Sequence, residues 1–119
     1  MDIKEFWNAV VSQDKQKIRG YFDEDACIRW HNSNEQFNLD DFLKANCLYP
    51  NKWRCDVEKI VYTDDIIITI TRVYNSDSSH HATSFIKLKN DKIIAVDEYW
   101  GEDGEAPDWR KAMNIGAKI

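Results

Sequence analysis

Midway along the chain the spacing of apolar residues changes from that of helices to that of strands, and this change sets the class of fold. From Trp53 onward the period is two, and Trp53–Tyr62, Asp65–Tyr74, His80–Lys89 and Ile93–Trp100 read as four strands. Polar turns at Thr63-Asp64, Asn75–Ser79 and Asn90-Asp91 separate them. Connections this short join antiparallel neighbours, because a parallel crossover needs about a dozen residues or more. In the second of these strands Ile66, Ile68 and Ile70 fall on one side and Ile67, Thr69, Thr71 and Val73 on the other, so neither side is clearly wet. One face should meet helices, and the other is expected to meet a second copy of the chain.

Before Trp53 the pattern is helical. Asp2 is placed to cap a first helix, with Glu5 three residues on as in a capping box, and Ile3, Phe6, Trp7 and Val10 form one buried face. Asp14 caps a second helix carrying Ile18, Tyr21 and Phe22, which ends at the acidic turn Asp23-Glu24-Asp25. Ala26–His31 then reads as a strand with Ile28 and Trp30 on one face and Cys27, Arg29 and His31 on the other. After a polar stretch with a short extended piece at Gln36-Phe37, Asn38 caps a third helix bearing Leu39, Phe42, Leu43 and Cys47, closed before Pro50.

At 119 residues this makes one domain, residues 1–119. Its last part, residues 101–119, is an acidic loop followed by a helical turn begun at Pro107, with Trp109 as an anchor. A formal charge of −5 without a clustered basic face argues against nucleic-acid binding. Three cysteines without a CxxC spacing fit a reducing compartment. The N-terminus lacks the basic and apolar regions of a signal peptide, and the apolar run Ile66–Ile70 is too short to span a bilayer, so a cytoplasmic protein without membrane contact is expected.

The order helix, helix, strand, helix and four antiparallel strands resembles the nuclear-transport-factor-2-like superfamily. The local text is similar to its SnoaL-like branch in Ser12-Gln13-Asp14 with Ile18, in Tyr21-Phe22-Asp23-Glu24-Asp25-Ala26, and in the last strand from Lys92-Ile93-Ile94 to Glu98-Tyr99-Trp100. The resemblance covers residues 1 to about 100. It implies an α+β fold, three N-terminal helices on a strongly curved, mainly antiparallel sheet forming a conical barrel, commonly a homodimer through the convex sheet face. Ketosteroid isomerases of this superfamily use a phenol on the first helix and a carboxylate base at the end of the first strand. Here those places hold Phe6 and Trp30, which can do neither job. SnoaL-type cyclases use a carboxylate or histidine in the cavity, which resemblance would assign to His31, His81, Asp97 or Glu98.

Glu98 shares a strand face with Ile94, Val96 and Trp100. If that face points inward, desolvation raises its pKa and suits it to proton transfer; the structural alternatives are an ion pair with Arg72 or a strand end reaching water. The adjacent His80 and His81 point to opposite faces of a strand and cannot chelate one ion. The carboxylates of Asp97–Asp108 lack the order of a calcium loop. No metal and no cofactor are therefore expected. With five Trp, five Tyr and five Phe, the chain has rings enough for a core, a pocket wall or both. The expected function is binding of a small, partly apolar molecule in a cavity lined by Trp30, Trp53, Arg72, His81, Glu98 and Trp100. The alternatives are a cofactor-independent isomerase, cyclase or hydrolase with Glu98 or His81 as general base, and a protein-interaction module whose cavity is filled by its own side chains.

Overall fold

A computed structural model describes all 119 residues. Helix α1 (Ile3–Ser12) begins at Asp2, whose carboxylate accepts from the N–H groups of Lys4 and Glu5, and ends at Gln13 in the left-handed region. Asp14 caps α2 (Lys15–Arg19) through the Lys17 N–H, and Asn38 caps α3 (Leu39–Cys47) through the Asp41 N–H. The strands are β1 (Phe22–Trp30), β2 (Glu35–Phe37), β3 (Arg54–Tyr62), β4 (Ile66–Tyr74), β5 (Ser79–Lys89) and β6 (Lys92–Glu102). A 3-10 turn, His31–Ser33, links β1 to β2, and a last helical turn α4 (Asp108–Lys111) follows β6.

These strands form one mixed sheet in the order β2-β1-β6-β5-β4-β3. The pair β1–β6 is parallel and every other pair is antiparallel. The meander expected from the short turns is present; Asn90 and Asp91, both at positive φ, make the two-residue turn between β5 and β6 that matches strand twist. The sheet is open rather than a closed barrel, since β2 and β3 remain its two edges. Pairing shifts at Phe22/Cys27, Val57/Lys59 and Lys87/Leu88 mark bulges, which bend the strands that carry them. Helices α1 to α3 pack on the inner face, and the core of Ile3, Phe6, Trp7, Ile18, Leu39 and Leu43 meets Ile28, Ile86 and Ile93 from the sheet.

Two expectations need correction. Phe22 starts β1 instead of ending α2, and Asp23-Glu24-Asp25 belong to the strand instead of a turn. The reason is local: β2 pairs only with Ile28–Trp30, so the first part of β1 has one unpaired edge where acidic side chains stay in water. Trp109 anchors nothing, being 65% exposed with the Arg110 guanidinium 5.2 Å over its ring. No helix is long and apolar enough to cross a membrane.

Candidate functional site

Cross-strand register builds the site. Thr69 on β4 faces Ser84 on β5, Ser84 faces Glu98 on β6, and Glu98 faces Trp30 on β1, so four side chains form a row across the inner face of the sheet. The Ser84 hydroxyl donates to Glu98 Oε2 (2.6 Å) and the Trp30 indole N–H to Oε1 (3.1 Å). At the far end the Trp7 indole N–H, arriving from α1, donates to Thr69 Oγ1 (3.2 Å). Thr69 and Ser84 are fully buried and Glu98 is 7% exposed. Burial pushes the Glu98 carboxyl above the usual carboxylate range, although Ser84 and the indoles of Trp100 and Trp30 pull the other way. No lysine, arginine or histidine lies within ion-pair distance of it.

Above this row lies a cavity of about 220 Å³ between the sheet, α1 and α3. Trp7, Trp30, Trp53 and Trp100 contribute to its walls, with Phe42 from α3. The Trp7 and Trp100 rings meet edge to face at 6.4 Å, and Trp30 meets Phe42 in the same way at 6.2 Å. Trp53 stands between Tyr49 (6.1 Å) and His80 (5.8 Å), tied by its indole N–H to the Pro50 carbonyl. The α1 and α3 sides are held together by Gln13, whose amide donates to the carbonyls of Asn46 and Tyr49, and by Asn46, which donates to Val10.

Of the residues expected at the site, Trp30, Trp53, Glu98 and Trp100 therefore border one cavity. Arg72 and His81 lie on the opposite face of the sheet, which corrects their placement. The buried side of β4 is Ile67, Thr69, Thr71 and Val73, leaving Ile66, Ile68, Ile70 and Arg72 on the outer side. Arg72 Nε donates to Ser79 Oγ (3.0 Å) and its guanidinium lies 4.1 Å over the Tyr74 ring, so it is no partner for Glu98. His81 bridges Asp103 (Nδ1, 2.6 Å) and Glu58 (Nε2, 2.7 Å). The Asp103 hydrogen bond is the main cause of its raised pKa.

His31 and Asp97 also pair away from the cavity, at 2.7 Å, with the His31 ring stacked on Tyr99. The cysteines are free, and burial pushes the Cys55 thiol up to about 11, away from nucleophilic use. No cluster of ligating side chains has the arrangement to hold a metal ion. The sequence reading missed Trp7, Phe42, Thr69, His80 and Ser84 as site residues. Thr69 and Ser84 carried a signal: small hydroxyl residues at inward positions of strands leave room and a donor beside a neighbouring large polar group.

No family model and no curated protein matches the sequence. Solved structures do match by shape. A candidate ketosteroid isomerase from Kribbella flavida superposes with a TM-score of 0.82 at 15% identity, covering 98% of this chain and 87% of its own. A protein of ketosteroid isomerase-like fold from Catenulispora acidiphila, in complex with trimethylamine, gives 0.69 at 9% identity over 82% and 84%. A candidate SnoaL-like polyketide cyclase from Shewanella putrefaciens gives 0.67 at 12% identity over 92% and 79%. By shape, the chain has the nuclear-transport-factor-2-like fold that these structures share.

Proposed function

We propose that the chain is a small-molecule-binding domain whose cavity takes a small, partly apolar molecule, with Glu98 as the polar group at its base. The observation that carries this reading is a buried carboxyl that opens into an aromatic-walled cavity instead of being sealed by core side chains. The interaction-module reading has the cavity filled by the chain's own side chains; a space of about 220 Å³ beside Glu98 speaks for a small ligand instead. A proton-transfer role is compatible with the raised pKa of Glu98, and of the two expected bases only Glu98 borders the cavity. Proteins of the same fold include the candidate isomerase, the candidate cyclase and a protein solved in complex with trimethylamine, which supports a small-molecule reading.

The test is a panel of small neutral aromatic and aliphatic alcohols titrated while following tryptophan fluorescence. Saturable binding is expected, and it should be lost in Val10→Phe, which fills the cavity from α1. Absence of binding to any small molecule, or binding indifferent to that substitution, would overturn the reading.

The homodimer belongs to the same proposal. The outer face carries the half-buried Ile66, Ile68 and Ile70 beside Phe85 and Tyr99, which are 38% and 47% exposed. Light scattering at micromolar concentration should report a dimer, and Ile68→Lys should convert it to a folded monomer. A wild-type monomer would remove the dimer from the proposal.

A further inference from the structure

The cavity's chemistry is unbalanced. Four indoles contribute to its walls, and its single carboxyl meets only neutral donors. No lysine or arginine borders it. Buried carboxylates are ordinarily matched by a cation, because an unpaired charge out of water is costly. Aromatic walls attract cations through the negative faces of their rings, indole most strongly. Both features ask for the same missing component.

We infer that the cavity selects a small organic cation, an alkylammonium group with apolar substituents, over a neutral molecule of the same shape. This rests on the reading of the cavity as a small-molecule site and names the class of ligand. In the empty cavity burial favours the neutral acid form of Glu98. When the cation enters, the carboxyl O–H bond breaks, the proton passes to solvent, and the carboxylate left behind becomes the counter-ion. The charge inside the cavity is the same before and after. A quaternary ammonium, which has no proton of its own, should do this as well as a protonated amine, whereas a neutral ligand displaces no proton.

The other titratable groups at the cavity are His80 on β5 and Tyr49 after α3, both beside Trp53. From α1 the cavity is faced by Phe6, Trp7 and Val10, from α3 by Phe42 and Asn46, and from β4 by Val73, none of them charged. Proton release can therefore be traced to one group or another by substitution.

The test compares choline with 3,3-dimethylbutan-1-ol, its neutral carbon isostere, by titration calorimetry in buffers of different ionisation enthalpy between pH 5 and 7. Choline is expected to bind roughly tenfold tighter or more, the scale of a desolvated cation–π contact joined to the attraction of a poorly solvated carboxylate. It should release protons, at most one per site and fewer as pH rises, as linkage to one carboxyl requires. His80→Gln should leave the release in place, while Glu98→Gln should abolish it and bring the two affinities together. If the neutral isostere binds as well as choline or better, the cation inference fails and the small-molecule reading stands. Choline binding with no proton release and no response to Glu98→Gln would also overturn it. If neither compound nor any of the neutral panel binds, both readings fall.

Discussion

Trp7→Ala should cost about 3–5 kcal/mol of folding stability, the range for truncating a buried large aromatic side chain. Trp7 is 1% exposed, meets Phe6 and Trp100 edge to face, and ties α1 to β4 through Thr69. The substitution leaves a void between helix and sheet and takes away the donor to a buried hydroxyl. Against a typical domain total of roughly 5–15 kcal/mol, a loss of that size lowers the melting temperature by about 10–20 °C in a chain of this length. Thermal unfolding followed by far-UV circular dichroism measures it. Trp7→Phe should lose distinctly less, since it keeps most of the ring and gives up only the indole edge and its N–H. A drop below about 1 kcal/mol for the alanine variant would mean that α1 is held by the rest of its apolar face and not by this ring.

Glu98→Gln should make the protein more stable than wild type once the carboxyl ionises, by an amount that grows as pH rises from the unfolded pKa to the folded one and is constant beyond it. The direction follows from linkage. Burial raises the folded-state pKa of Glu98, so above the unfolded value of about 4.3 the folded state holds a proton that the unfolded state has released. Stability then falls as pH rises toward the folded pKa, and beyond it the full cost of burying the charge is present. Glutamine can still accept from Trp30 and can donate to Ser84, so its amide has partners without the charge. Other carboxylates slope the opposite way: Asp103 has a lowered pKa through its bonds to Ser79 and His81, outweighing its desolvation. The difference between variant and wild type cancels that background. Denaturant unfolding at several pH values from 5 to 9 provides the readout. A gap independent of pH, or a wild type that gains on the variant as pH rises, would mean that the carboxyl is solvated when ionised.

Much of this molecule is legible in its text because the signals are local. Asp2, Asp14 and Asn38 each announce a helix start with a side chain that the structure shows capping it. Asn90-Asp91 marks a hairpin for a reason of backbone geometry. The acidic run at the start of β1 misleads because charge was taken as a sign of a turn, when an unpaired strand edge is just as wet. Which face of β4 looks inward is not written in β4 at all. Three isoleucines make an apolar stripe, yet the threonine stripe is the buried one, because a distant indole gives Thr69 a partner and Ser84 lies beside it on the next strand. Arg72 continues that isoleucine stripe, so the choice of face that turns Ile66, Ile68 and Ile70 outward also keeps it out of the cavity. His81 is misplaced for a similar reason on β5, where Ala82, Ser84 and Ile86 are the inward set. Glu98 reads more directly, since Val96 beside it is buried on the same face.

The row Thr69–Ser84–Glu98–Trp30 also bears on how the sheet finds its pairing. A slip of one residue in β4 would turn three isoleucines toward the helices and carry Thr69 away from the Trp7 indole, a trade that hydrophobicity alone would hardly oppose. A slip of two in β5 would keep every face correct but leave the Glu98 carboxyl opposite Ala82 or Ile86, without the Ser84 hydroxyl. The polar row penalises both errors, working as an alignment mark among strands whose apolar residues tolerate more than one arrangement.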